Sequence, residues 1–153
     1  MIAERDIQLQ GWLARLLKHD WTADDFTNAQ MERKRVVNAT WRFMENYDFL
    51  LTPSTACAAF ALGIEGPDTI ANQSVARTAW VAFSALGNFT GLPAASVPVG
   101  LTTDQRPIGL QIMGRHLDDL GVLALSSAVE SLYLPQLPPL SESENWSALW
   151  SKV

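Results

Sequence analysis

Acyl transfer is the chemistry that the side chains of this sequence could most directly support, because its candidate nucleophiles are one thiol and a set of serine hydroxyls. Cys57 could act with either of the two histidines, His19 or His116, as a thiol hydrolase. A lone cysteine among alanines is more typical of a small buried apolar group. Ser96 lacks the flanking glycines that let a nucleophilic serine project from a sharp turn, so we interpret it as a strand residue.

Metal and cofactor chemistry finds no supporting pattern in the sequence. There is no Gly-rich phosphate loop, no His-Glu-x-x-His and no cysteine pair. The two histidines lie far apart, with no carboxylate at ligand spacing. We therefore predict no metal, no cofactor and, on these grounds alone, no assigned catalytic residue.

One constellation remains, in the stretch 88–115. An Asn-x-Thr-Gly-Leu-Pro motif at 88–93 leads into an apolar strand, and a Pro-Ile-Gly-Leu-Gln motif at 107–111 leads into a second one. Gly91 and Gly109 indicate close approach of the backbone. Gln111 is a polar amide on an otherwise apolar strand, so we expect it to bridge neighbouring strands through hydrogen bonds.

The elements that must position these residues follow from hydrophobic periodicity. The order helix, helix, strand, helix, strand, strand, helix predicts an α/β fold with a mixed sheet flanked by helices. Thr22, with Asp25 three residues later, predicts the start of the second helix, and Gly87-Asn88 predicts the end of the third. We predict one α/β domain over 1–134, then a Pro-rich linker and a short tail helix over 135–153. The predicted elements are helices 4–18, 22–46, 74–86 and 118–133, strands 48–52, 94–101 and 108–113, and the tail helix 145–150.

The same periodicity predicts which side of each element is buried. The two later strands should form an antiparallel hairpin beside Phe49–Thr52, because a short polar link joins them and their apolar residues share one parity. Pro98 cannot donate to a strand ladder, so that strand should be irregular. The predicted buried positions are Phe26, Ala29, Val36, Val37, Thr40, Met44 and Tyr47 on the second helix, Ala95, Val97, Val99, Leu101, Ile108, Leu110 and Ile112 on the strands, and Leu120, Leu123, Val129, Leu132 and Tyr133 on the last helix.

Composition excludes several classes of function. The 153 residues carry 11 Lys plus Arg against 16 Asp plus Glu, a net charge of −5, with no basic stripe for nucleic acid or an anionic membrane. The longest uncharged stretch, Thr78–Thr103, is interrupted by glycines and prolines and does not suit a membrane span. A single cysteine and the absence of an apolar leader predict a reducing, cytoplasmic location. The 48% apolar share and six tryptophans predict a surface that expects a partner, as in a homo-oligomer.

The motifs at 88–93 and 107–111, followed by a helix that ends on Glu130, resemble the closing segment of the amidase signature family, which spans amidases and one of the subunits of glutamyl-tRNA amidotransferases. The stretch 29–55 is also similar, with Arg35 in a long helix ahead of Tyr47–Pro53. The resemblance extends over about Trp21–Leu132. It implies the C-terminal portion of an amidase fold and a role in hydrolysing C–N amide bonds.

Members of this family use a Ser nucleophile, a second Ser in a cis peptide and a Lys base, all in an earlier part of a longer chain. This sequence has no Gly/Ser-rich signature, and its lysines are Lys18, Lys34 and Lys152. We therefore carry over no catalytic residue. The resemblance implies that 52–60 and 88–92 line the substrate cleft, with small side chains that suit an apolar acyl group; a packed loop is the alternative. The candidate substrate-binding residues are Thr52, Pro53, Ser54, Thr55, Asn88, Thr90 and Gly91.

Three hypotheses follow for function. The first is amide hydrolysis by an assembly in which this chain supplies sheet core and pocket wall, and a missing N-terminal amidase segment or partner chain supplies catalysis. The second is a non-catalytic binding or assembly module derived from an amidase. The third is an independent hydrolase that uses Cys57.

Overall fold

A computed structural model describes residues 11–133 of the chain, which divides after Val36 into two units. Two predicted elements, the helix start at 4–10 and the tail helix at 145–150, lie outside the described residues, as does the Pro-rich linker. The elements are α1 (Gly11–Lys18), α2 (Ala23–Met44), β1 (Phe49–Pro53), β2 (Thr69–Ile70), β3 (Gln73–Ser74), a 3-10 turn (Ala79–Val81), α3 (Ala82–Thr90), β4 (Ala94–Leu101), β5 (Pro107–Gly114) and α4 (Asp119–Leu132).

The first unit holds α1 and the beginning of α2, and its best-defined feature is the cap of α2. The Thr22 hydroxyl accepts from the Asp25 N–H at 3.1 Å, and the Asp25 carboxylate accepts from the Thr22 N–H at 3.0 Å. These reciprocal bonds satisfy helix donors that would otherwise have no partner. The hydrogen bonds from Thr22 also lower the pKa of the Asp25 carboxyl. The predicted helix start at Thr22 is confirmed.

The second unit is built on a three-stranded antiparallel sheet in the order β1-β5-β4. The predicted hairpin of β4 and β5, and its place beside β1, are confirmed, and every strand pair among the described residues is antiparallel. The register shifts between Pro98 and Gly100, which is the irregularity that the missing proline N–H predicts. Gly100 has a φ of 148°, which a side chain would strain.

One face of this sheet is apolar and is covered by α4. Val97 and Ile112 pack with Val122 and Val129 of α4, and Ala95 and Leu110 adjoin them, as the strand parity predicts. The predicted buried face of α4 is wrong except for Val129. The other predicted positions are exposed: Leu120, Leu123, Leu132 and Tyr133. Leucines occupy both sides of this helix, so their spacing does not identify the side that meets the sheet.

The opposite face of the sheet is also partly buried. Met113 packs with Met44 of α2 and Leu92, so β5 is buried on both sides, whereas its alternation predicted one apolar side. Burial on α2 is narrower than predicted: Thr40 and Met44 are buried, but Phe26, Ala29 and Tyr47 are exposed. Helical periodicity identifies an apolar side without showing whether another element covers it.

The third helix differs from its predicted bounds at both ends. Residues 69–74 form the small β2–β3 hairpin, whose turn residues Ala71 and Asn72 have positive φ, so the helix begins later than residue 74. It also continues past Gly87 and ends at Gly91, which adopts the left-handed conformation with a φ of 70°. Gly87 is therefore inside the helix, where the absence of a side chain lets α3 approach Ala94 and Met113.

Candidate functional site

Four polar side chains lie together on the face of the sheet opposite the α4 core, and we call Thr52, Ser54, Ser96 and Gln111 the polar row. Strand register places Thr52 and Ser96 on either side of Gln111. Alternation along β5 directs Gln111 away from Ile112 and the apolar face. The polar row is therefore a consequence of strand pairing, which the linear sequence does not display.

Gln111 occupies the centre of the polar row and is buried. Its amide nitrogen donates to the Thr52 hydroxyl and to the Phe83 carbonyl, both at 3.1 Å. These two bonds connect β5 to β1 and to the first turn of α3. The amide thus has the bridging role that its position on an apolar strand predicts.

Ser54 and Ser96 meet across β5, with their hydroxyl oxygens 2.5 Å apart. The residue between them is Gly109, whose carbonyl accepts from the Ser54 N–H at 2.9 Å. A Cβ at position 109 would lie 2.6 Å from the Ser54 oxygen and 2.9 Å from the Ser96 oxygen. Glycine is required at 109 because any side chain would occupy the space in which the two serines touch.

The segment after β1, residues 54–60, is held in place at both ends. Arg106 of the β4–β5 hairpin donates to the Ala59 carbonyl and forms an ion pair with Asp104. The Ala56 N–H donates to the Trp80 carbonyl at 2.9 Å. The Phe60 ring meets the Trp80 ring edge-on at 5.5 Å between centroids. This segment therefore packs against the hairpin and the 3-10 turn, and its backbone is well supported.

Electrostatics at the hairpin centre on the same arginine. The hydrogen bond from Arg106, together with that from Thr102, lowers the pKa of the Asp104 carboxyl from 3.8 to about 2. In return, the hydrogen bond to Asp104 raises the pKa of Arg106, and Cys57 is close enough to contribute in the same direction. Arg106 thus ties the loop that carries Cys57 to the end of the sheet.

The candidate substrate-binding residues fall into two groups. Thr52, Pro53, Ser54 and Thr55 lie together at the end of β1, beside the polar row. The second group lies at the other end of α3, since Phe83 in its first turn contacts Gln111 while Gly87, further along, lies beside Ala94 and Met113. The members of that second group are Asn88, Thr90 and Gly91.

Within the second group, two residues have evident structural roles. The Thr90 side chain is buried and its hydroxyl donates to the Leu86 carbonyl at 2.8 Å. Gly91 ends the helix. The next residue, Leu92, borders a surface cavity of ≈ 250 Å³ that the sequence did not predict. Its lining residues are Trp41, Met44, Glu45, Leu92, Arg115 and His116.

The polar row can bind a polar group but does not by itself form an activated nucleophile. No lysine, histidine or carboxylate among residues 11–133 makes a hydrogen bond to the Ser54 or Ser96 hydroxyl. Over that same range, no three His, Cys, Asp or Glu side chains gather as a metal site would require. None of the described helices combines the length and apolar character needed to cross a bilayer.

Sequence reasoning missed Ser96 and Gly109 as parts of this site. Their signal was available in principle: Ser96 has the same parity on β4 as Gln111 has on β5 once the hairpin register is known. The register itself depends on the bulge at Pro98–Gly100, which shifts the pairing by one residue and cannot be counted from the loop length alone.

Comparison with known proteins agrees with this architecture. The family model described as Amidase matches residues 3–123, and the chain belongs to this family. The glutamyl-tRNA(Gln) amidotransferase A chain of Maricaulis maris is 35% identical over 123 residues, which is 80% of this chain. A fatty acid amide hydrolase of Arabidopsis thaliana is 36% identical over 115 residues, or 73% of this chain. The predicted amidase signature resemblance is confirmed.

A solved structure shows the same fold. A bacterial aryl acylamidase of the amidase signature family matches with a TM-score of 0.71 and 29% identity, over 84% of this chain and 27% of the other. The α/β class and the kinship to amide hydrolases are therefore confirmed. The chain spans 23% and 18% of the length of the two curated relatives, so these proteins extend well beyond the region that they share with it.

Proposed function

We propose that this chain is the C-terminal portion of an amidase-signature hydrolase, and that it supplies sheet core and pocket wall for hydrolysis of C–N amide bonds. The polar row carries the proposal: it combines a fixed amide, two touching hydroxyls and a glycine opening in a fold shared with amide hydrolases. The nucleophile and its base come from an N-terminal amidase segment or from a partner chain.

The wall that we propose consists of Thr52, Pro53, Ser54 and Thr55 at one end of α3 and Asn88, Thr90 and Gly91 at the other. The first group is better suited to contact a substrate, because Ser54 belongs to the polar row and the following segment is anchored by Arg106. The small side chains at 56–59 leave room for an apolar acyl group. In the second group, exposed Asn88 is the better candidate, since the Thr90 hydroxyl is already bonded.

The chain alone is expected to be inactive on amides. Acyl transfer requires an activated nucleophile, a base and donors for the developing oxyanion, which together supply most of the rate. A wall that binds substrate and transition state alike lowers the barrier very little. The structure offers support for this expectation in the Ser54–Ser96 pair, whose hydroxyls are bonded to each other and to no base in the described residues.

The test is an amidase assay on a panel of aryl and aliphatic amides, with the purified chain alone and with a separately produced amidase fragment that carries a Gly/Ser-rich signature. We expect turnover only in the mixture. Ser54→Ala should reduce that turnover, whereas Ser131→Ala, which alters an exposed α4 hydroxyl, should not. Turnover by the repurified chain alone, lost in a Ser96→Ala variant, would overturn the proposal.

A second candidate function is a non-catalytic assembly module, and the exposed apolar side of α4 favours it. Leu120 is 82% exposed and Leu123 and Leu132 are similarly uncovered, while β1 and β4 each have one edge unpaired among the described strands. Such edges and apolar surfaces promote association. We expect the chain to form a homo-oligomer whose mass by sedimentation rises with concentration; a monomer at all concentrations would contradict this.

The third candidate, a hydrolase based on Cys57, has less support. Cys57 is half-buried in the anchored segment beside Arg106, and no histidine in the described residues contacts it. Alkylation of Cys57 should leave any activity of the reconstituted mixture unchanged. Its unpaired thiol also supports a reducing, cytoplasmic location for the protein.

A further inference from the structure

The cavity beside Leu92 is separate from the polar row and has the features of a small binding site. One wall comes from the C-terminal turn of α2 with Trp41 and Glu45, and the other from the turn after β5 with Arg115 and His116. Met44 and Leu92, both buried, form its apolar floor. Its volume of ≈ 250 Å³ is below the range of sites for drug-sized molecules, so its ligand must be small.

Aromatic rings form the side of this cavity. The Trp41 and His116 rings lie 5.7 Å apart with a tilt of 36°, and Trp41 remains 50% exposed. An indole face is the aromatic surface that attracts cations most strongly, because its π electrons carry negative potential above the ring. The cavity thus offers a cation an exposed aromatic face next to apolar surface.

The charges at the rim favour the same kind of ligand. Arg115 is already engaged, since its Nε donates to the Tyr47 carbonyl at 3.2 Å and its guanidinium pairs with Asp48 at 3.2 Å. Glu45 also lines the cavity, and its carboxylate has no ion pair with any residue in 11–133. The uncompensated charge at the rim is therefore negative.

We propose that this cavity binds a small organic ammonium ion. Its apolar body lies on Met44 and Leu92, and its charged nitrogen lies between the Trp41 ring and the Glu45 carboxylate. The three requirements of such a ligand, an apolar floor, an aromatic face and one unpaired carboxylate, are met by residues of two adjacent turns. This site does not depend on the polar row or on the proposed amide hydrolysis.

The test uses the full chain and benzylamine as probe, with neutral benzyl alcohol and anionic benzoate of similar shape as comparators. Binding is followed by the NMR signal of the Trp41 indole N–H, which a Trp41→Phe variant identifies. Glu45→Gln removes the charge and keeps the shape. Glu130→Gln, an exposed glutamate of α4 that does not line the cavity, is the matched control.

We expect benzylamine to shift the Trp41 signal in a saturable manner and benzoate to leave it unmoved. Glu45→Gln should weaken benzylamine binding about fivefold or more, with no change in Glu130→Gln. Equal binding of benzyl alcohol and benzylamine would overturn the proposal, because the cavity would then select only apolar surface. The absence of any shift with benzylamine, or a shift that Glu45→Gln leaves intact, would overturn it as well.

Discussion

The two faces of the sheet use the same three strands in different ways. On the apolar face, Val97 and Ile112 pack against α4 with no directional requirement, and burial of apolar area provides the stabilisation. In the polar row, Gln111 needs both Thr52 and Phe83, and Ser54 needs Ser96 across Gly109. Each polar contact depends on one specific partner, because a buried donor or acceptor without one costs free energy.

This difference separates stability from positioning. The apolar face can tolerate another aliphatic side chain of similar volume, since packing there is satisfied by several shapes. The polar row has a fixed geometry, set by register and by one missing side chain at Gly109. Large losses of stability should therefore follow from charges on the apolar face, and smaller, more specific losses from changes in the polar row.

The largest expected effect is on the apolar face. Leu110→Asp should reduce the free energy of unfolding by about 3 kcal/mol, because it directs an unpaired charge into the cluster around Val97 and Ile112. Urea denaturation at one fixed protein concentration measures it. The matched control is Leu120→Asp on the exposed side of α4, which should change stability by less than about 0.5 kcal/mol. Equal effects at 110 and 120 would mean that the apolar face is not the core.

A methyl group at the centre of the serine pair should have the next largest effect. Gly109→Ala places a Cβ 2.6 Å from the Ser54 oxygen, so the hydroxyls must separate, at a cost of about 2 kcal/mol. Adding Ser54→Ala should recover part of that loss, which a double-mutant cycle in urea would detect. Strictly additive losses would show that Gly109 serves the backbone alone and that the Ser54–Ser96 contact is incidental.

Loss of the central amide should cost less. Gln111→Leu leaves the Thr52 hydroxyl and the Phe83 carbonyl without their donor and should destabilise by about 1.5 kcal/mol. In a Thr52→Val background the same substitution should cost less, because one of the two stranded groups is already gone. If Gln111→Leu instead stabilises the protein, the polar row is a tolerated defect in a second apolar face, and the contrast between the faces fails.

The apolar face was largely predictable from the sequence, and the polar row was not. Alternation on β4 and β5 identified Val97, Leu110 and Ile112, because a strand repeats every two residues whatever it pairs with. Gln111 was identifiable as a bridge, but its partners Thr52 and Phe83 come from segments 59 and 28 residues away. Such partners are fixed by tertiary contacts that local patterns do not encode.

The errors on the helices have the same origin. The apolar residues of α4 surround much of its circumference, so spacing alone could not select Val122 over Leu123. The end of α3 was assigned to Gly87, where a small residue serves packing against Ala94 and Met113, when the residue with positive φ is Gly91. A glycine serves either purpose, and only the surrounding structure distinguishes them.

The smallest expected effect concerns a polar contact in solvent, at the hairpin that joins the two faces. Asp104 is bonded to Arg106 and Thr102, which stabilise its charged form, so an NMR titration of its carboxyl carbon should have a midpoint of about 2. Because the pKa of the folded state is below the ordinary 3.8, this contact stabilises the fold above about pH 4 and is lost as the pH falls towards 2. The side chains are about half exposed, so the stabilisation itself should be slight and weaker in high salt. Arg106→Gln should move the midpoint up towards 3.8, whereas Arg115→Gln, which removes an arginine that pairs with Asp48, should leave it in place. An Asp104 midpoint indifferent to Arg106 would mean that the arginine does not hold the hairpin, and the anchoring of residues 54–60 beside the polar row would lose its main support.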